Sequence, residues 1–221
     1  MKKQLVIVGN TSNAKLAHYY FTKDSEYEVV AFSVDKKYIE TATFCELPVI
    51  PFEEIEDVYP KIQYEVFVAI GYTDMNDLRK KMYNNVKEKG YTLPNYISSK
   101  CSFLTQETIG DNNLILEDNT IQPFVTIGSN NVLWSGNHIG HDVVIKDHCF
   151  ITSHVVISGF TIIEDNCFLG VNATFRDAIT IKKYSLIGAG ACIMSTTEEE
   201  GVYLAPKPIK INKKSTSLKI S

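Results

Sequence analysis

Beginning at Ile109, a large apolar side chain recurs at every sixth residue: Ile109, Ile115, Ile121, Ile127, Leu133, Ile139, Ile145, Ile151, Ile157, Ile163, Leu169, Phe175, Ile181, Ile187 and Ile193. At the composition of this chain, such a run in one frame would arise by chance on the order of once in a hundred thousand. A period of six matches neither the 3.6 of a helix nor the simple alternation of an ordinary strand. It fits short strands joined by tight corners, three to a coil, with the large residues filling the axis of a triangular prism. A second column, four residues later, holds mostly small residues, among them Asn113, Asn131, Cys149, Cys167, Ala173, Ser185 and Ala191. Small beside large is what a narrow coil requires if both columns are to pack inside it. Glycines 110, 128, 140, 170 and 188 each directly follow a column member, where a tight corner would use bare backbone. The pattern predicts a left-handed parallel β-helix of nearly five coils, ~25 Å tall at ~4.8 Å per rung. Cys149 and Cys167 then stack as interior small residues rather than a redox pair.

Upstream of the repeat, short apolar runs alternate with longer amphipathic ones, the pattern of strands joined by helices. Residues 5–8, 29–32 and 66–70 read as strands, 16–21 as a helix, and 48–51 as a short edge strand because of its prolines. A helix is expected over 74–89, where Met75, Leu78, Met82 and Val86 share one face, Asp74 can cap the start and Gly90 can end it. The chain thus divides into a small Rossmann-like α/β domain, residues 1–99, and a β-helix domain with a C-terminal tail, residues 100–221.

Bulk properties narrow the partners. With 22 basic and 26 acidic residues the net charge is −4, which gives no electrostatic reason to bind nucleic acid. The apolar run at the N-terminus is too short for a signal peptide, and no stretch approaches membrane-spanning length. Five cysteines without close pairing fit reduced thiols, and the expected compartment is the cytoplasm.

The hexapeptide column, together with the segments Trp134-Ser-Gly-Asn-His-Ile-Gly-His-Asp142 and Cys167-Phe-Leu-Gly-Val-Asn-Ala173, resembles the hexapeptide-repeat acyltransferases. The α/β domain ahead of the prism, with Val68-Ala-Ile-Gly71 before a Lys/Arg-rich helix, narrows the resemblance. It points to sugar acyltransferases of the sialic-acid O-acetyltransferase and UDP-amino-sugar N-acetyltransferase type. The resemblance implies a homotrimer that binds acetyl-CoA as co-substrate and a nucleotide sugar, with no metal. It implies substrate contacts from the turn Gly9, Asn10, Thr11, Ser12 and Asn13, from Asp35 and Lys36 after the second strand, and from Gly71. The turn keeps the family's first glycine and, at Lys15, its lysine, but lacks the later glycines that let backbone approach a phosphate. The pantetheine arm of the cofactor is expected along Gly170, Asn172, Gly188 and Ala189. Lys207, Lys210, Lys213 and Lys214 follow the last coil, with Lys207 the foremost candidate for the CoA phosphates.

Acetyl transfer from a thioester needs a base for the acceptor's proton, and histidine suits that role near neutral pH. The chain has His18, His138, His141, His148 and His154. His141, followed by Asp142, matches the base-plus-acid pair of the resembled family and is the expected general base, with His138 in reserve. His154 and Asn172, eighteen residues apart, are expected on successive rungs of one face; His148 reads as an exposed corner and His18 as packing. The pattern leaves three alternatives open: a sugar O-acetyltransferase, a non-catalytic trimer that binds a sugar nucleotide, and a zinc enzyme that gathers histidines between prisms.

Overall fold

Leu5, Val6, Ile7 and Val8 are shut off from solvent at the centre of a five-stranded sheet around which the N-terminal half is built. The computed structural model describes residues 2–212, 214 and 216. The strands of this sheet are β1 (Lys3–Val8), β2 (Tyr27–Val34), β3 (Thr43–Phe44), β4 (Leu47–Pro51) and β5 (Tyr64–Val68). Their order is β3-β4-β2-β1-β5, parallel except for β3. The proline-bearing β4 is therefore not the outermost strand, because two residues of β3 pair along its free side. Helix α1 (Ser12–Lys23) packs on the Leu5 and Ile7 face, and the single turn α2 (Ile55–Val58) with α3 (Asp77–Glu88) packs on the Val6 and Val8 face.

Helix α3 starts later than expected. Asp74, Met75 and Asn76 are all left-handed, with φ of 51°, 48° and 71°, so Asp74 does not cap the helix. Docking overrides local preference: the Asn76 amide donates to the carbonyls of Asn166 and Cys167 in the prism, and its oxygen accepts from Arg79. At the other end Gly90, at φ 78°, stops the helix as expected.

From Tyr96 to Tyr203 the chain winds as a left-handed parallel β-helix whose two-residue strands stack into faces of seven, six and four strands. Residues eighteen apart are in register, as in Val132 with Phe150, His138 with Val156 and Val144 with Ile162. Both sequence columns point inward and form one core. The large column also runs two steps further back than Ile109, through Phe103 and Ile97. The prism therefore begins at Tyr96 and holds more coils than the repeat count suggested, roughly 29 Å of rungs at ~4.8 Å each. The corner positions differ from expectation as well. Left-handed backbone falls on the third residue after every column member from Ile109 to Ile187, such as Asn130, Gly136, Asp142, His148 and His154. The glycines immediately after the column have no such φ; they are small because successive coils touch there, and a Cβ on Gly170 would lie 2.6 Å from the Ala189 nitrogen.

Buried asparagines close the coils. The Oδ1 atoms of Asn113, Asn131 and Asn137 accept from the backbone N–H groups of Asn131, Cys149 and Val155 one coil on, satisfying donors that the narrow core would otherwise strand.

The seven-stranded face carries the first domain. Its outward Leu114, Val132 and Phe150 merge into the cluster formed by Leu5, Ile7, Phe21 and Phe67. The adjoining corner is sealed by Arg79, fully buried, which donates to the carbonyls of Gly71, Asn130, His148 and Cys149. Burial without a carboxylate partner lowers its pKa to about 10. His148, expected at the surface, lies under this seal, edge-on to Tyr83 and bonded to Asn130 at 2.9 Å. Among the described residues no helix is long and apolar enough to cross a membrane.

Candidate active site

The sheet order reverses at β1, with β2 on one side and β5 on the other, and ligands of open α/β sheets bind at such switch points beyond the strands' carboxyl ends. Here those ends are Gly9 and Gly71. Gly9, at φ 131°, also sits so close to β5 that a Cβ would come 2.9 Å from the Ala69 carbonyl oxygen. Above them opens a cavity of about 1070 Å³ lined by Gly9, Asn10, Thr11, Ser12, Asn13, Asp35 and Gly71. Of the substrate residues expected from sequence only Lys36 stays outside: its ammonium lies 4.0 Å from Glu54 and its N–H donates to Glu53.

Helix α1 points its N-terminus into this cavity. Thr11 at the cap makes no side-chain bond to the helix, and the first turn holds no acidic residue, so the free N–H groups and the helix dipole present positive potential. Asn10 bridges to the Tyr38 carbonyl at 3.2 Å, and the Asn13 amide rests over Gly71.

The opposite wall comes from the prism and went unrecognised in the sequence: Trp134, Phe150, Thr152 and Val171 line it, with Tyr72 packed on Phe150 and Phe168. A signal was present. Outward positions on this face, Leu114, Val132, Phe150, Phe168 and Leu186, are all large and apolar at eighteen-residue spacing, unlike Thr120, His138 and Thr174 on the next face.

His141 and Asp142 occupy the corner opposite the seven-stranded face. The His141 Nδ1–H donates to Asp142 Oδ2 at 2.9 Å, while the ring stands edge-on to Phe160 at 5.0 Å. Its Nε2 lies over Gly159, where a Cβ would intrude to 2.9 Å. The side chain is 53% exposed. This arrangement fixes one nitrogen and leaves the other open to a reactant. His138 is exposed on the flat six-stranded face beside that corner. His18 is partly buried against Phe32, and burial lowers its pKa.

Gly170, Asn172, Gly188 and Ala189 gather on another corner, between the seven- and six-stranded faces, next to the cavity wall. Ala189 and Gly190 are exposed there, and a Cβ on Gly190 would meet nothing closer than Ala205 at 3.9 Å. Such an open strip of backbone suits a thin, extended ligand arm. Lys207 and Lys210 are exposed beyond the last coil; Lys213 lies outside the described residues. No group of three or more potential metal ligands is gathered among the described residues.

Residues 127–159 match the bacterial transferase hexapeptide (six repeats) family. No curated protein matches the chain. Among solved structures, the chain is similar to the acetyltransferase domain of PglB from Neisseria gonorrhoeae FA1090 in complex with acetyl coenzyme A, with a TM-score of 0.82 and 20% identity, covering 93% of this chain and 97% of that one. PerB from Caulobacter crescentus in complex with CoA and GDP-perosamine gives 0.80 and 20%, covering 91% and 94%. WeeI from Acinetobacter baumannii AYE gives 0.78 and 19%, covering 91% and 96%. The chain shares with these proteins one fold across both of its halves.

Proposed function

We propose that this chain is an acetyl-CoA-dependent N-acetyltransferase that acts on a nucleotide-linked amino sugar in bacterial surface-glycan biosynthesis. Residues 1–99 bind the nucleotide sugar and residues 100–221 carry out the transfer. The observation that carries this reading is the His141–Asp142 pair, an exposed imidazole held at Nδ1 with Nε2 free. The complexes of the similar proteins support it: the PglB domain is bound to acetyl coenzyme A, and PerB to CoA and GDP-perosamine.

Acetyl-CoA would supply the activated acetyl group as a thioester, along the strip at Gly170, Asn172, Gly188 and Ala189 with Lys207 toward its phosphates. The α1 N-terminus and the turn at residues 9–13 hold the nucleotide's diphosphate, and Asp35 accepts from the nucleoside. His141 Nε2 takes the proton that the acceptor amine loses as it attacks the thioester carbonyl, and Asp142 holds the tautomer that makes this possible. No covalent enzyme intermediate is needed.

Within one chain, His141 and the cavity lie on different sides of the prism. We assign their meeting to a homotrimer in which the corner of one prism approaches the cavity of its neighbour. Exposed Phe124 and Phe160 at that corner give it apolar surface to bury. The test is a panel of UDP-, dTDP- and GDP-linked amino sugars with acetyl-CoA, read by thiol release. Turnover is expected with at least one member, and His141→Ala should lower kcat by about 10²-fold or more without changing the oligomer. Reaction of hydroxyl-bearing sugars alone would make the enzyme an O-acetyltransferase, and unchanged turnover in the variant would remove the base.

A further inference from the structure

The corner beside the cavity is a ladder of Asp118, Gly136, His154, Asn172 and Gly190, all left-handed and eighteen residues apart. Its backbone is locked rung to rung, His154 N–H donating to the Ser135 carbonyl and Asn172 N–H to that of Ser153. The cavity's prism wall is made by Trp134, Thr152 and Val171, each one or two residues ahead of a ladder position. His154 follows Thr152 by two residues on the middle of the three rungs that line the cavity, one rung before Asn172, without itself lining the cavity. It is exposed, and its imidazole makes no hydrogen bond among the described residues.

Gly136 is what gives the ring its place. A Cβ there would fall 2.6 Å from both Cε1 and Nδ1 of His154. The corner's backbone alone does not demand glycine, since Asp118, His154 and Asn172 adopt the same conformation at φ 60°, 59° and 58°. Gly159 clears room for the His141 ring in the same way. His138 has no such glycine seat, and His148 is sealed under the first domain.

We propose that His154 is a substrate-contacting residue that holds the amino-sugar ring at the cavity mouth through hydrogen bonds between its imidazole and the sugar's hydroxyls. This rests on the function proposed above and adds a second histidine to it, on a different corner from the base. An imidazole offers both a donor and an acceptor nitrogen, which suits a hydroxyl-rich ring. Its near neighbours Thr152 and Val171 line the sugar cavity, while Asn172 on the next rung belongs to the proposed cofactor strip, and the kinetics separate a contact to the sugar from one to the thioester.

The test is steady-state kinetics of His154→Ala, His154→Gln, Gly136→Ala and Gly90→Ala with acetyl-CoA and whichever UDP-, dTDP- or GDP-linked amino sugar the wild type acetylates. His154→Ala should raise KM for the sugar about tenfold and leave KM for acetyl-CoA unchanged, with partial recovery in His154→Gln. Gly136→Ala should reproduce the rise by displacing the ring. Gly90→Ala introduces the same backbone strain, at φ 78° against 79° for Gly136, at the far end of α3 where a Cβ would meet only the flexible end of Lys61, and should leave the sugar KM at the wild-type value. An unchanged sugar KM in His154→Ala, a rise confined to acetyl-CoA, or equal effects of the two glycine variants would overturn the assignment. Parallel assays of His141→Ala separate the two ideas: loss of turnover there beside wild-type constants in His154→Ala rejects only the second histidine. Absence of turnover with every sugar rejects both.

Discussion

Single side chains in this protein are constrained mostly by the backbone groups they must satisfy. Asn137 accepts from the Val155 N–H and donates to the Trp134 carbonyl, both in the prism interior. Asn137→Ala leaves the buried Val155 N–H unpaired, while the Trp134 carbonyl keeps its bond from Asn119, and should cost about 1–3 kcal/mol, measurable as a lower urea midpoint. His148 makes a pH prediction. Burial holds its pKa down at about 4, against an ordinary 6.5, with the charges of Lys80 and Arg79 acting in the same sense and those of Asp147 and Asp165 against. The unfolded chain therefore binds this proton more readily than the folded one. The neutral ring's contribution is fully present above pH 6.5 and is lost as pH falls toward 4, by about 3 kcal/mol at most. Wild type should lose urea resistance between pH 6.5 and 4.5 more steeply than His148→Asn; parallel curves would contradict the account. The sequence could not reveal this burial, because His148 sits at an ordinary corner position and only the docking of α3 covers it.

At the scale of elements, the hexad was legible because every column position has one fate, burial in a core with room for one size class. The residues outside the columns were less so. The glycines after the column mark coil contacts rather than bends, a distinction of backbone spacing that a one-dimensional pattern does not carry. The expected start of α3 failed for a related reason, since Asn76, the last of the left-handed residues 74–76, is held by carbonyls of the prism. Arg79 is the centre of that joint. Arg79→Met should destabilise the protein by at least about 3 kcal/mol, as several buried carbonyls lose their donor, and should open amide exchange in α3 ahead of the prism core. Uniform loss of protection across both would argue that the joint is not where the two halves are coupled.

At the scale of the whole molecule, the His141–Asp142 corner and the cavity lie on different sides of one prism, and the proposed homotrimer is what brings them together. The turn at residues 9–13, Asp35 and Gly71 were legible from their place at strand ends, and they do share one cavity. The His141–Asp142 pair was legible as neighbours in sequence, and they are bonded. That the two groups lie apart within a chain was not legible, because it depends on which prism face the first domain covers. The most direct measurement is complementation between two variants, His141→Ala and Val171→Trp, the latter filling the cavity. Each alone should be inactive. Co-expressed and purified as mixed oligomers, they should regain roughly a quarter of the wild-type acetylation rate if subunits mix at random. No recovery in mixed oligomers, or full activity from a stable monomer, would contradict a site shared between chains.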